Sequence, residues 1–372
     1  MVSDKNKGLT SRIASFVDSF TSPLKFSHYL ELLSPLLATH KLQARVVKVW
    51  DETKDSRTLT LKPSRSWRLH RAGQHIRVGV SIDGMQYNRT FSISSAPERS
   101  EDCFTITVKV INKGRMSSHL VRHLRIGSYL EISLAQGDFV LPEATPVLPL
   151  FITAGSGITP VMSMLRNYVA VGNMPDIEHI HYAPHSYDVI FGGELQKLAK
   201  NYAKLYHFHP VYTQELGSEA RGECYFSLSQ LNRLCPDWQT RDVWACGPQS
   251  LLTSLAEVFS AAGRGRHLHI ERFRAATSPV PKGTVGGRVR FTNNGRVVDV
   301  EADGATPLLR VAEDAGLNPP HGCRMGICHT CDVPLVSGQV RELGSGEILS
   351  EPGTLVQTCI YAAAGDCELS FN

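Results

Sequence analysis

Among the nine cysteines of this 372-residue chain, four have a spacing that could hold iron. Cys323, Cys328, Cys331 and Cys359 read C-x4-C-x2-C-x27-C. Two irons bridged by sulfides need four thiolates converging on a small volume. At this spacing one loop, PHGCRMGICHTC, can supply three ligands while the fourth returns from a distant strand. Gly322 and Gly326 relieve crowding where backbone must approach the sulfides, and N–H groups there can tune the potential. Zinc or buried thiols are the alternative readings, but zinc sites favour paired C-x2-C knuckles and only one such pair is present. His329 lies inside the loop, yet four Cys already complete a ligand set. Cys367 falls outside the spacing.

Four further segments suit phosphates and flat rings. In Arg89-Thr90-Phe91-Ser92-Ile93-Ser94-Ser95, Arg89 offers a forked donor for a phosphate, Phe91 a flat apolar wall and Ser92 a hydroxyl. In Gly114-Arg115-Met116-Ser117-Ser118-His119-Leu120, a Gly, a Ser hydroxyl and a helix N-terminus could hold a pyrophosphate. Phe151-Ile152-Thr153-Ala154-Gly155-Ser156-Gly157-Ile158-Thr159-Pro160 reads as a strand, a Gly-Ser-Gly turn and a helix starting near Pro160. Glycines there permit a tight turn and close approach of phosphates, and Pro suits the first helical turn, where its missing N–H costs nothing. Cys246-Gly247-Pro248 ends a second apolar strand, VWACGP, and leads into another helix.

The elements that must position these residues fall into four segments. Residues 1–40 read as a helical extension with apolar residues at Ile13, Phe16, Val17, Phe20 and Leu24. Residues 41–145 alternate apolar and polar over short runs such as QARVVKVW and HIRVGVSI, which predicts an antiparallel β-barrel. Residues 146–275 alternate apolar strands with helices, which predicts an α/β domain with a mainly parallel sheet. The Pro/Gly/Ser-rich run at 276–287 predicts a flexible linker, and 288–372 a small α+β module with one helix, PLLRVAEDAG.

Composition narrows the classes. Apolar residues make up 42% and charged residues 20%, which suits a globular chain. The net charge of +4 hides an asymmetry: residues 285–372 hold 6 Lys/Arg and 11 Asp/Glu. A basic body with an acidic tail argues against a nucleic-acid binder. The start lacks an export signal, so nine cysteines argue for metal ligation or buried thiols over disulfides. The charge-free stretch from Ala144 to Leu165 is broken by Pro146, Pro149, Gly155, Gly157 and Pro160 and is expected to fold as strand, loop and helix, not as a membrane span. Clustered histidines (His179, His181, His185; His207, His209; His267, His269) are expected at solvated or core-edge positions on sheet strands.

The two phosphate motifs resemble R-x-Y/F-S-x-x-S and G-x-x-S-x-x-L of the ferredoxin–NADP reductase superfamily, and the cysteine segment resembles a plant-type ferredoxin domain. The resemblance covers about residues 41–372 and implies a multidomain fold: a barrel for FAD, an α/β domain for NADPH or NADH, and a β-grasp domain for a [2Fe–2S] cluster. FAD is implied over FMN by the second motif. Arg89, Thr90, Phe91, Gly114, Met116 and Ser117 would contact the flavin, with Ser92 beside its N5. Thr153, Gly155, Gly157, Thr159, Pro160, Gly247 and Pro248 would contact the nicotinamide nucleotide. Ile270-Glu271-Arg272-Phe273 resembles the family's terminal strand: Phe273 would cover the flavin ring and yield to nicotinamide, and Glu271 would polarise the site or relay a proton. Ser92, Cys246, Glu271 and Phe273 form the expected catalytic group.

The choice between NADPH and NADH stays open on sequence. A 2′-phosphate wants Arg or Lys, and neither Thr213-Gln214 nor Ala183-Pro184-His185-Ser186 supplies one, which leaves Arg264 and Arg266 as compensating candidates. Nicotinamide gives two electrons as a hydride, a [2Fe–2S] centre takes one, and flavin does both. The expected activity is therefore a converter of hydride into single electrons for an acceptor protein. The extension and overall pattern resemble bacterial oxidoreductase components of acyl-CoA or stearoyl-CoA desaturases, which implies a membrane fatty-acyl desaturase as acceptor. A ring-hydroxylating or other oxygenase is the rival, and a redox-sensing binding protein a third reading. A cytoplasmic location is expected. The extension is expected to dock on the chain's own barrel, with peripheral contact at the inner face of the membrane as its alternative role.

Overall fold

The computed structural model describes residues 42–97, 102–111, 114–142, 148–215, 224–273, 285–293, 295–322, 324, 326 and 329–371. The extension at 1–40, most of the 276–287 run, and Cys323 and Cys328 lie outside the described residues.

The first unit is an antiparallel sheet in the order β4-β3-β6-β1-β2-β5. Its strands are β1 (Gln43–Thr53), β2 (Ser56–Pro63), β3 (His75–Ile82), β4 (Met85–Ser92), β5 (Phe104–Lys109) and β6 (Tyr129–Ile132). Alternation decides which side chains turn inward: Ala44 and Val46 are buried while Arg45 is exposed, and a register shift between Val46 and Lys48 then turns Lys48 outward. A bridge from Ile93 to Ile106 joins the end of β4 to β5, so the outer strands meet and the sheet closes as a barrel. Helix α1 (Arg115–Arg122) plugs it with Met116, Leu120 and Val121.

The second unit is a parallel sheet in the order β11-β10-β7-β8-β9. Its strands are β7 (Pro149–Ala154), β8 (Ile177–Ala183), β9 (Tyr206–Tyr212), β10 (Asp242–Cys246) and β11 (Leu268–Glu271). Leu150, Phe151 and Ile152 run consecutively and are all fully buried, because helices cover both faces of the sheet. The helices are α2 (Ile158–Val171), α3 (Gly192–Asn201), α4 (Leu228–Leu234) and α5 (Gln249–Ala261). Helix α2 also locks the unit onto the barrel. Ser163 Oγ donates to the Ser95 carbonyl at 2.6 Å, and Arg166 donates to the Ser94 carbonyl at 2.6 Å while forking onto Glu194 at 2.9 and 2.6 Å. These bonds hold the segment just after β4, and so Ser92, against the second unit.

The third unit has the strand order β13-β12-β17-β14-β15, with β16 on β14. Its strands are β12 (Gly287–Asn293), β13 (Arg296–Ala302), β14 (Asp332–Glu342), β15 (Ile348–Leu349), β16 (Leu355–Gln357) and β17 (Tyr361–Ser370). Strands β12 and β17 run parallel and the other pairs antiparallel. Helix α6 (Leu308–Asp314) packs Leu308, Leu309, Val311 and Ala312 inward, the α+β arrangement expected of a β-grasp. Gly287 already belongs to β12, so the strand takes the last residue of the expected linker. None of the described helices is long and apolar enough to cross a membrane.

Two histidines correct the expectation of solvated or core-edge positions. His179 and His181 are fully buried in the parallel sheet. Thr153 Oγ1 lies 2.9 Å from His179 Nε2 and 2.8 Å from His181 Nδ1, and His179 Nδ1 lies 2.8 Å from the Tyr206 hydroxyl. These bonds pair both nitrogens of His179 and the Nδ1 of His181, and the His181 Nε2 stays buried without a partner, so the core holds both rings neutral. Burial pushes His181 down to about 3 and His179 well below 6.5. Below about pH 6.5 the unfolded chain takes up protons that the fold refuses. Stability should therefore fall on acidification from about pH 6.5, by up to ~1.4 kcal/mol per pH unit for each ring, and level off only below the folded values. Urea unfolding between pH 7.5 and 5 checks this, since carboxylates titrate lower. A flat midpoint over that range would contradict it.

Candidate functional site

A cavity of about 570 Å³ opens where the three units meet. Arg89, Thr90, Phe91 and Ser92 enter it from β4, Gly114, Met116 and Ser117 from the start of α1, and Thr159, Glu271 and Phe273 from the second unit. The third unit adds Arg310, Glu313, Asp314 and His321 from α6 and the segment after it. Residues from all three motif sets therefore share one space.

Arg89 is the clearest anion-seeking group. It is partly buried and donates to the Asn88 carbonyl at 2.7 Å. Burial, with Arg324 and Arg310 adding repulsion against the pull of Glu313, lowers its guanidinium to about 10. A desolvated cation beside like charges fits a phosphate. Gly114 closes the cradle: a Cβ there would come within 2.6 Å of Ser117 Oγ. Ser117 does not present a free hydroxyl as its motif implied. It accepts from the Ile111 N–H at 3.0 Å and donates to the Gly114 carbonyl at 3.2 Å, so it shapes the turn. Met116, at 3% exposure, packs in the barrel core and can offer a ligand little beyond backbone. His321 lines the same cavity, and its Nε2 is buried without a hydrogen-bond partner. An under-compensated Arg, a glycine cradle, an aromatic wall and an orphaned ring nitrogen fit an anionic, flat, hydrogen-bonding group such as a flavin nucleotide.

At the inner end, Ser92 Oγ donates to Glu271 Oε2 at 3.2 Å, and His75 Nδ1 lies 3.3 Å from Glu271 Oε1. Burial raises the Glu271 carboxyl, while His75 and Ser92 oppose that rise. Cys246 stands in register with Glu271 on the adjacent strand. Burial, then the Glu271 charge, keep it a thiol. Phe273 is 39% exposed on the cavity wall.

The glycines and prolines of the nucleotide motifs gather at the C-terminal ends of β7 and β10, beside the cavity. Gly157 there allows backbone contact: a Cβ would lie 2.1 Å from the Cys246 carbonyl oxygen. Gly155 has φ +52°, Gly247 and Pro248 follow β10, and Pro160 is buried in the first turn of α2. Thr159 Oγ1 donates to the Ser156 carbonyl at 2.9 Å. Thr153 is a correction, because its hydroxyl is spent on His179 and His181 inside the sheet and cannot serve a nucleotide. Arg264 and Arg266 are a second correction. They flank the N-terminal end of β11, and Arg264 donates to the Arg241 carbonyl at 3.2 Å, at the end of the sheet opposite the glycine turns.

In the third unit, the Cys359 hydrogen bond holds the Cys331 thiol well below its usual range, toward the thiolate that ligates metal. The Thr358 backbone and hydroxyl both donate to the Cys331 carbonyl, at 3.2 and 3.1 Å. Two of the four expected ligands thus lie together, and the other two are outside the described residues. Sequence reasoning passed over His75, Arg310, Glu313 and His321. Each reaches the cavity only through contacts between strands or units, which no local pattern signals.

Three family models match the chain. They are the Oxidoreductase FAD-binding domain over residues 43–141, the Oxidoreductase NAD-binding domain over 151–257 and the 2Fe-2S iron-sulfur cluster binding domain over 291–363. The NADPH oxidoreductase of Mycobacterium tuberculosis is 43% identical over 352 residues, covering 94% of this chain and 89% of the relative. The glycine betaine monooxygenase reductase subunit of Chromohalobacter salexigens is 28% identical, covering 82% and 88%. Among solved structures, phthalate dioxygenase reductase superposes with a TM-score of 0.63 at 22% identity, covering 89% of this chain and 98% of that one.

Proposed function

The chain belongs to the NAD(P)H oxidoreductases that carry FAD-, NAD- and [2Fe–2S]-binding domains on one polypeptide, and from that premise we propose that it turns a hydride from NADPH into single electrons for an oxygen-activating iron protein. The observation that carries this reading is the shared cavity: Ser92 and Glu271 line its inner end, and α6 of the iron–sulfur unit lines its wall. A flavin held there supplies hydride acceptance and one-electron release. Arg89 and the Gly114 turn would hold its phosphates, and Phe91 and Phe273 would wall its ring and keep water from it. Ser92 and Glu271 would hold a proton beside it, with Cys246 next to Glu271 on the adjacent strand. Gly155, Gly157, Thr159, Pro160, Gly247 and Pro248 shape the nucleotide turn. Cys323, Cys328, Cys331 and Cys359 hold the cluster. Division of the chain at 1–40, 41–145, 146–275, 276–287 and 288–372, and a cytoplasmic location, belong to the same proposal.

NADPH is preferred to NADH because the 43%-identical relative is named for it. Two acceptor classes are carried forward. A fatty-acyl desaturase rests on the likeness of the extension and overall pattern. A hydroxylating oxygenase rests on relatives named as reductase components of glycine betaine monooxygenase and 3-ketosteroid-9-alpha-monooxygenase, and those names favour it. The acidic third unit favours a basic docking face on either.

The deciding experiment is an anaerobic titration with NADPH and, separately, NADH, followed in the visible range. Flavin and cluster bands should both bleach, with NADPH the more effective donor. Flavin bands without cluster absorption would sink the single-electron reading. Equal bleaching by both nucleotides would remove the NADPH preference.

A further inference from the structure

Each hydride that enters carries two electrons and one proton. If the electrons leave singly through the iron–sulfur unit, as proposed above, one proton per nucleotide oxidised must also leave the cavity. Ser92 and Glu271 can hold it, but both are poorly placed to release it: Ser92 is 4% exposed and the Glu271 side chain 11%. Cys246 is fully buried and offers no exit. His75 differs. Its ring touches Glu271 at one edge and keeps 19% of its side-chain surface in solvent.

The position of the imidazole is built by the fold. His75 stands opposite Ser92 in the β3–β4 register, so the pair approaches both oxygens of one carboxylate. Its backbone exchanges two 2.9 Å hydrogen bonds with Gln136. The next residue, Gly137, sits at φ +108°, where a Cβ would come within 2.8 Å of His75 Nδ1. Glycine at that turn leaves room for the ring to lie against Glu271.

We propose that His75 is the outlet of the proton path and acts through Glu271. The O–H bond on Glu271 Oε1 breaks and an N–H bond forms on His75 Nδ1. The imidazolium then gives a proton to water, and no electron moves in either step. His75 is thus a positioning and proton-transfer residue, whereas Ser92 and Glu271 face the reacting group.

The test uses the full chain loaded with FAD and cluster. In weak buffer with a pH-indicator dye, His75→Gln should slow proton release during NADPH-driven ferricyanide reduction by about tenfold. That is less than a directly positioned acid–base group supplies, because water can partly substitute. Hydride entry, read as flavin bleaching without acceptor, should slow far less. The solvent deuterium effect on turnover should rise, and imidazole added to His75→Ala should restore rate. A readout independent of turnover comes from flavin-free protein carrying 15N-labelled histidine, in which Glu271→Gln should move the His75 Nδ1 resonance. Wild-type proton release and isotope effect in His75→Gln, or an unmoved resonance, would overturn the outlet. A wild-type chain that releases no proton with NADPH would overturn both the outlet and the function on which it rests.

Discussion

Cys331→Ser is expected to cut NADPH-driven cytochrome c reduction by about 100-fold or more, while ferricyanide reduction stays within about threefold. A serine oxygen is a harder, weaker ligand for iron than a thiolate. Cys331 ends the cysteine loop. It touches Cys359, and Thr358 clamps its carbonyl with two hydrogen bonds. Serine is only slightly smaller than cysteine, so at this 2%-exposed site the β-grasp core should survive and circular dichroism should hardly change. Ferricyanide is small enough to take electrons at the cavity mouth, whereas cytochrome c needs the cluster's exit. Loss of the cluster's visible absorption together with the split between the two acceptors would establish the linear path. If both acceptors kept their rates, electrons would be leaving directly from the flavin.

Arg89→Ala should weaken FAD binding by on the order of 10- to 100-fold, the usual worth of one charge-assisted hydrogen bond, with flavin content after gel filtration falling in step. The substitution should not destabilise the flavin-free chain. Arg89 repels Arg310 and Arg324, and burial alone already disfavours its charge. A stable apoprotein with poor flavin retention therefore separates lost binding from lost folding. Arg89→Lys should recover only part of the affinity, because an ammonium lacks the planar fork. Full FAD retention in Arg89→Ala, by fluorescence titration, would place the phosphate elsewhere.

Much of the fold and the chemistry was legible in the chain itself. Alternation in HIRVGVSI and the unbroken apolar run in VLPLFITAG predict a barrel and a buried parallel sheet, because strand faces and sheet burial follow side-chain periodicity. The phosphate and cluster motifs are legible for a related reason. Each packs its groups into a few consecutive residues, where backbone geometry alone sets their spacing. Thr153 and the paired histidines were misjudged because a strand's pattern does not say which neighbour lies across it. The same Thr hydroxyl could face a nucleotide or two imidazoles, and the β7–β8 register chose the imidazoles.

By its own spacing, then, the sequence determined which chemistries to expect: four cysteines spaced as for iron, an Arg–Phe–Ser run suited to a flavin, glycine turns suited to a dinucleotide. Only the tertiary structure decided how they communicate. His75 meets Glu271 across 196 residues, and α6 of the third unit reaches the cavity that β4 lines. Those meetings depend on strand register and on how whole units pack. Both are set by the sum of many weak contacts between distant segments, so no local motif can encode them.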